Sequence, residues 1–179
     1  MNPKTTLQSF DGFLAARGLA WEATILGGAA LFLLDVVERA THDVDVVDPA
    51  IPEAIGAAAM AFAEECRRAG LPMRANWLNA DAMPVGALLP SGWQTRLQPA
   101  FEGKALRLQA LGRDDLIRTK LFAACDRGTD IADCLALRPL ASELEEAARW
   151  VAIQDAHPGW PDHVAATVSD LARRLGHGL

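Results

Sequence analysis

The feature that most constrains the fold is a short apolar run that ends in two glycines, with a second strand pattern one helix-length downstream. Residues 22–26 have the pattern of a buried strand, which stops at Gly27 and Gly28. Residues 29–39 then show helical periodicity, and residues 43–47 alternate polar and apolar. This order predicts strand, helix and strand, with the early strand ends left open to form a site.

The remaining patterns predict more strands and then only helices. We expect a helix over 5–17, a helix from 52 to 69, a strand over 73–78, a loop over 84–92, a hairpin of 93–98 and 104–110, and helices over 114–126, 130–137, 142–157 and 161–175. The predicted fold class is therefore α/β (α+β), with a small mixed sheet. We expect an α/β core over residues 1–111 and a helical region over 112–179 that packs on this core as one unit.

Composition excludes several classes of protein. The 179 residues are 51% hydrophobic with a net charge of −6, which excludes wholesale disorder and argues against general nucleic-acid binding. The most apolar stretch, residues 25–37, is shorter than the ~20 residues of a membrane-spanning helix. The three cysteines form no C-x-x-C pair, and the first residues lack a secretory apolar region. We therefore expect a cytoplasmic protein without membrane association.

Two aspartates in the second predicted strand are candidate metal ligands. Side chains at i and i+2 project from one face of a strand, so Asp43 and Asp45 point the same way. Two like charges held ~6–7 Å apart repel each other, and a divalent cation between them removes the repulsion. A solvated strand face is the ordinary alternative for such a pair.

The glycine pair upstream is a candidate phosphate-binding bend. Because glycine has no Cβ, the backbone N–H groups of Gly27 and Gly28 can approach a phosphate closely. A lone glycine pair is usually a simple turn. Combined with the carboxylates of Asp43 and Asp45 one helix later, however, it describes a site for a nucleoside triphosphate and a divalent metal.

These residues carry a resemblance to a known family. The glycine pair, the helix-length spacer and the segment Thr41-His42-Asp43-Val44-Asp45 resemble the nucleotidyltransferase superfamily, which has the DNA polymerase beta-like fold. The chain looks closer to bacterial nucleotidyltransferase-like proteins akin to the AbiEii toxin group. The resemblance implies a nucleotidyltransferase core, with Asp43 and Asp45 as metal-binding catalytic residues. It also implies nucleotide binding by Gly27, Gly28, Arg39 and Thr41.

A later motif extends the resemblance into the helical half of the chain. The toxin-like proteins carry Asp-x-x-x-x-Lys, then Arg and Asp-x-x-Asp, and here Asp115 precedes Lys120, Arg127 and the segment 130–133. The resemblance implies that Lys120 is catalytic and that Lys120 and Arg127 bind the nucleotide. The ordinary alternative is a solvated face, or ion pairs of Lys120 and Arg127 with Asp130 and Asp133.

The sequence departs from the superfamily at a third carboxylate. Superfamily enzymes usually carry it on a later core strand, where it binds metal and acts as a base. The matching strand here, within 106–110, offers only Arg107 and Gln109 at its polar positions. Asp130 or Asp133 is the candidate replacement, with Asp81 as a further one.

Two functional hypotheses follow. The first is a Mg²⁺- or Mn²⁺-dependent nucleotidyltransferase that moves a nucleoside monophosphate from a nucleoside triphosphate to an RNA or protein hydroxyl. Such an enzyme would also fit the toxin of a toxin–antitoxin pair, with a small antitoxin protein as partner. The alternative is a catalytically degenerate nucleotide-binding module that acts through a partner.

Overall fold

A computed structural model describes residues 2–177 and confirms the mixed α/β class. Its five strands are β1 (Trp21–Leu26), β2 (Val44–Asp48), β3 (Leu78–Asn79), β4 (Gln98–Glu102) and β5 (Leu106–Ala110). Its α-helices are α1 (Pro3–Ala15), α2 (Gly27–Leu33), α3 (Glu53–Arg68), α4 (Met83–Leu88), α5 (Arg113–Arg127), α6 (Ile131–Leu137), α7 (Ala141–Val151) and α8 (Trp160–Leu175). Backbone contacts divide the chain between Leu111 and Gly112 into an N-terminal unit and a C-terminal unit.

The N-terminal unit is built on one mixed sheet of strand order β3-β2-β1-β5-β4. The central strand β1 pairs antiparallel with β2 and parallel with β5. The short strand β3 runs parallel to β2, and β4 runs antiparallel to β5. Because β1 and β2 are antiparallel, the end of β1 and the start of β2 meet at one edge of the sheet, where Leu26 pairs with Asp45.

The two faces of the sheet differ in polarity. On β1, Ala23 and Ile25 are buried. Glu22 is exposed, although the residues before and after it in the chain are buried. The pairing of Leu26 with Asp45 places Asp45 on the same face as Leu26 and Glu22, away from the core. The candidate metal ligand therefore lies on the polar face.

An aromatic cluster fills much of the core of the N-terminal unit. Phe10 of α1 and Phe62 of α3 pack against Trp77, with ring centroids 5.0 and 5.7 Å from that of Trp77. Trp77 is fully buried, and its indole N–H donates to the carbonyl oxygen of Ala59 at 3.1 Å. This bond satisfies the polar atom that burial would otherwise leave without a partner.

The helix after the glycine pair is shorter than predicted. Helical periodicity extends to residue 39, but α2 ends at Leu33. Asp35 adopts a left-handed conformation with φ of 56°, and the N–H of Val36 bonds to the carbonyl of Leu31. Such a left-handed residue stops a helix. Residues 34–43 therefore run to β2 as an irregular connection.

The region between β3 and β4 differs most from the prediction. The predicted loop over 84–92 contains α4, because Pro84 is favourable in a first helical turn. Gly86 lets α4 lie directly on β2, since a Cβ there would lie 2.8 Å from Cγ1 of Val47. The predicted strand over 93–98 is a 3₁₀ turn, Trp93–Arg96, that follows Gly92 at a φ of 75°. The predicted strand over 73–78 was also wrong except at Leu78.

Over residues 112–177 the C-terminal unit contains helices and no strand, as predicted, but α7 ends at Val151 and not at residue 157. Helix α5 packs against α6, α7 and α8. The start of α7 differs in detail, since Leu140 rather than Ser142 is the N-cap and its N–H donates to Glu143 at 2.7 Å. Among residues 2–177, no helix has both the length and the apolar character that crossing a membrane requires.

A buried carboxylate ties α1 to the hairpin of β4 and β5. Asp11 accepts hydrogen bonds from the N–H groups of Lys104, Ala105 and Leu106 at 3.1, 2.8 and 2.9 Å. A Cβ at Gly103 would lie 2.2 Å from Oδ1 of Asp11, so only glycine fits there. Burial by itself would raise the pKa of Asp11. The three N–H donors and the charge of Lys104 together lower it by more, so the net pKa lies below the usual value.

We predict that Asp11→Asn lowers the free energy of unfolding by about 1–3 kcal/mol at neutral pH, because the acceptor loses its charge and one of its two oxygens becomes an NH2 group that cannot accept. The folded pKa is depressed, so the contribution is fully present above the unfolded pKa, near 3.9, and disappears as pH falls through the folded value. Urea unfolding at several pH values measures the effect. The exposed Asp35→Asn is the matched control, and an equal loss in both variants would contradict the prediction.

Candidate functional site

The glycine bend and the second aspartate of the pair are in direct contact. Gly27 has a φ of 76°, and a Cβ on it would lie 2.6 Å from Oδ2 of Asp45. Both the backbone conformation and the space therefore require glycine. The carboxylate of Asp45 lies against the backbone where β1 turns into α2.

Two further predicted residues border the space that a side chain at the next glycine would take. A Cβ on Gly28 would lie 3.2 Å from Oγ1 of Thr41 and 3.8 Å from a terminal nitrogen of Arg39. Thr41 is buried, and Gly28 is half-buried. The segment before β2 thus brings a hydroxyl and a guanidinium to the backbone of the bend.

Asp43 is linked to the same group of side chains. The hydroxyl of Thr41 donates to Oδ1 of Asp43 at 3.2 Å. Val44 and Val46 are fully buried, whereas Asp43 and Asp45 are half-buried, as expected of alternate residues on one strand face. Arg74 lies near Asp43, with 3.8 Å between its terminal nitrogen and Oδ2 of Asp43. The structure therefore brings together six predicted site residues, which are Gly27, Gly28, Arg39, Thr41, Asp43 and Asp45.

Sequence reasoning missed Asn79. Its amide nitrogen donates to Oδ1 of Asp45 at 3.0 Å, and its Oδ1 accepts from the N–H of Asp81 at 3.0 Å. Asn79 is in position because β3 pairs with β2 with Asn79 opposite Asp45. With one oxygen of Asp45 bonded to Asn79, the other lies towards the bend at Gly27. A polar residue at the end of a short strand pattern was the available signal, but β3 has only two residues.

The third carboxylate has no counterpart on the neighbouring strand. Strand β5 lies beside β1, and Gln109 is opposite Thr24 in the register. The position therefore carries an amide instead of a charge. Within residues 2–177, no group of three or more His, Cys, Asp or Glu side chains is arranged to hold a metal ion.

The second motif forms a buried ion cluster inside the C-terminal unit. The ammonium of Lys120 lies 2.6 Å from Oδ1 of Asp130 and 2.7 Å from Oδ2 of Asp133. Lys120 is 6% exposed and Asp133 only 1%. Arg127, which is largely exposed, lies 3.3 Å from the other oxygen of Asp130. The arrangement matches the alternative in which these cations pair with Asp130 and Asp133, and the nucleotide-binding role of Lys120 and Arg127 stays a prediction.

Electrostatics around this cluster agree with a charged pair. Burial raises the pKa of Asp130, but Lys120, Thr129 and Arg127 lower it, and the net pKa is below the usual value. Burial and the charge of Asp130 raise the pKa of the nearby Cys134 to about 12. The Asp130 carboxylate is therefore ionised and the Cys134 thiol neutral at physiological pH.

The donor set in the N-terminal unit fits a divalent cation. Asp43 and Asp45 supply carboxylate oxygens, which Mg²⁺ and Mn²⁺ prefer as ligands. Asn79 and Thr41 each hold one oxygen of a carboxylate by a hydrogen bond, which orients Asp45 and Asp43. Gly27 is buried and Gly28 half-buried, with Asp45 and Thr41 in the space that their side chains would take.

Comparison with known proteins agrees with this geometry. The profile of one family matches residues 7–143, which is more than half of the chain and includes both side-chain clusters. No curated protein and no solved structure matches the sequence. The chain belongs to the family described as "Nucleotidyltransferase of unknown function (DUF6036)".

Proposed function

We propose that the protein is a Mg²⁺- or Mn²⁺-dependent nucleotidyltransferase that moves a nucleoside monophosphate from a nucleoside triphosphate to an acceptor hydroxyl. Membership of the family gives the general reaction class. The site on the polar face of the sheet supports the nucleotide and metal assignments. The acceptor class is an RNA or a protein hydroxyl.

The observation that carries the proposal is the contact between Gly27 and Asp45. A carboxylate oxygen only 2.6 Å from the place of a Gly27 Cβ supports a cation ligand next to a backbone that could take a phosphate. Thr41 supports the same link one residue later, since its hydroxyl borders the side-chain position of Gly28 and donates to Asp43. Two independent contacts thus join the glycine pair to the aspartate pair.

In the proposed reaction the chain mainly positions groups. The acceptor hydroxyl oxygen bonds to the α-phosphorus, the bond to the pyrophosphate oxygen breaks, pyrophosphate leaves and the hydroxyl proton is released to solvent. Gly27 and Gly28 admit the triphosphate, and Arg39, beside Gly28, pairs with its oxygens. Asp43 and Asp45 would hold the metal, which neutralises phosphate charge when bound. Asn79 keeps Asp45 oriented.

A second candidate function is a nucleotide-binding module without turnover. The observation that favours it is Gln109 on β5, where an amide cannot act as a base or bind a metal as a carboxylate would. The bend and the two aspartates suffice for binding a metal-nucleotide complex. Such a module would itself sense the nucleotide and would act through a partner.

The cellular role in this proposal is that of a toxin from an AbiEii-like branch, restrained by a small antitoxin protein. The motif of Lys120, Arg127, Asp130 and Asp133 supports that branch. A neighbouring gene for a small DNA-binding regulator is the expected accompaniment, and expression without that partner is expected to arrest growth.

Removing either metal-binding carboxylate tests the site. We predict that Asp43→Asn and Asp45→Asn each weaken Mn²⁺-dependent binding of a nucleoside triphosphate by about 30–100-fold, because a charged ligand is lost. Fluorescent triphosphate titration measures binding, and labelled nucleotides with cell extract measure transfer. Asp48→Asn, exposed at the far end of β2, is the matched control. Equal affinity in all four proteins would refute the proposal, and binding without transfer favours the second candidate.

The role of Asn79 is tested separately. We predict that Asn79→Ala weakens metal-dependent triphosphate binding by about 10-fold, since outer partners of metal ligands contribute about this much. The half-buried position makes a large stability change unexpected. The urea midpoint without metal is measured alongside. A loss of stability with unchanged affinity would show that Asn79 does not orient Asp45 for a ligand.

The ion cluster of the C-terminal unit gives a contrasting prediction. Lys120→Met leaves Asp130 and Asp133 without their shared cation, so the free energy of unfolding is expected to fall by about 3–5 kcal/mol. Lys120→Met combined with Asp133→Asn is expected to recover part of the loss. Arg127→Gln, at the exposed edge of the cluster, is the control and is expected to cost less than about 1 kcal/mol. Wild-type stability in Lys120→Met, with triphosphate binding lost, would instead support the nucleotide-binding role.

A further inference from the structure

A cavity of about 360 Å³ opens beside the first metal-binding aspartate within the N-terminal unit. Its lining residues are His42, Arg67, Pro72, Met73 and Arg74. His42 directly precedes Asp43, and Arg74 approaches Asp43 from the loop before β3. Two lining residues, His42 and Arg74, therefore connect the cavity to Asp43, whereas neither glycine of the bend lines it.

The two arginines give the cavity a positive wall. Arg74 is 59% exposed, and its 3.8 Å separation from Oδ2 of Asp43 exceeds hydrogen-bond length. The guanidinium is therefore attracted to Asp43 while its donors remain available. Arg67 is held at the wall, because it donates to the carbonyl of Met73 at 3.4 Å and pairs with Glu64. Each side chain keeps further N–H groups in a planar fork that matches a phosphate.

We infer that this cavity binds a phosphate of the acceptor and that the acceptor is a single-stranded nucleic acid end. The inference rests on the proposed function, whose acceptor it specifies. A protein hydroxyl brings no anion to the cavity, whereas every nucleotide next to a terminal hydroxyl carries a phosphate. Pro72 and Met73 add an apolar wall on which a base or ribose packs.

The size and position of the cavity agree with this ligand. Its volume, about 360 Å³, is in the range of about 300–1,000 Å³ for small-molecule sites. Arg74 lies 3.8 Å from Asp43, so a phosphate bound by Arg74 is close to the aspartate at which the reaction is proposed to occur. The net charge of −6 also agrees with recognition of one chain end, since a long duplex needs an extended basic face.

The test uses the full chain and a fluorescent single-stranded oligoribonucleotide, with the same DNA sequence as a second arm. Arg67→Gln and Arg74→Gln are each expected to weaken binding by about 10-fold and to reduce the slope of log affinity against log salt by about 0.7. Arg68→Gln is the matched control, because Arg68 follows Arg67 on α3 and pairs with the same Glu64 but lies outside the cavity. Its affinity and salt slope are expected to match those of the wild type.

Different outcomes separate this inference from the proposed function. The inference is overturned if the protein binds neither the RNA nor the DNA oligonucleotide. It is also overturned if Arg68→Gln and Arg74→Gln lose the same amount of affinity. Transfer of label to a protein instead of a nucleic acid also overturns it. Triphosphate binding is measured in parallel and is expected to survive in Arg67→Gln and Arg74→Gln. If the wild type binds no triphosphate while oligonucleotide binding depends on both arginines, the transferase proposal fails and the anion site stands.

Discussion

The candidate site depends on the close approach of the Asp45 carboxylate to the backbone of Gly27, a residue without a side chain. Asp45 can lie against the end of β1 only because Gly27 has no Cβ and adopts a left-handed conformation. The antiparallel pairing of β1 and β2 brings these residues to one sheet edge. Any larger residue at Gly27 would move the strand, the carboxylate or both.

Neighbouring carboxylates occur in both units, and their partners differ. Asp43 and Asp45 accept hydrogen bonds from the neutral donors Thr41 and Asn79, and the exposed guanidinium of Arg74 lies 3.8 Å from Asp43. Asp130 and Asp133 instead share the buried ammonium of Lys120. An exposed cation at this distance compensates a carboxylate less than a buried lysine in direct contact does. The first pair is accordingly the better candidate for a divalent metal.

Local patterns predicted the elements that carry strong periodicity or strong stop signals. The strands around Gly27 and Asp45, the long helices and the helical C-terminal half follow from alternation, helical spacing and glycine stops. The segment between β3 and β4 did not follow, because its prolines and glycines also indicate a loop, and because the packing of Gly86 on Val47 joins residues distant in sequence. The early end of α2 depends on one left-handed residue, Asp35, which periodicity does not reveal.

The residues of the candidate site also differ in whether the sequence predicts them. Residues adjacent to the motif were predictable, because the chemistry of two aspartates and two glycines is visible in the sequence itself. Asn79 and Arg74 were not, since they reach Asp45 and Asp43 only through the placement of β3 and the loop before it. That loop carries no periodic pattern, and Trp77, buried in the core, fixes where it ends. A core tryptophan thereby helps to determine which polar side chains border the candidate metal site, so the packing of the aromatic cluster and the chemistry of the polar face are coupled through one short segment.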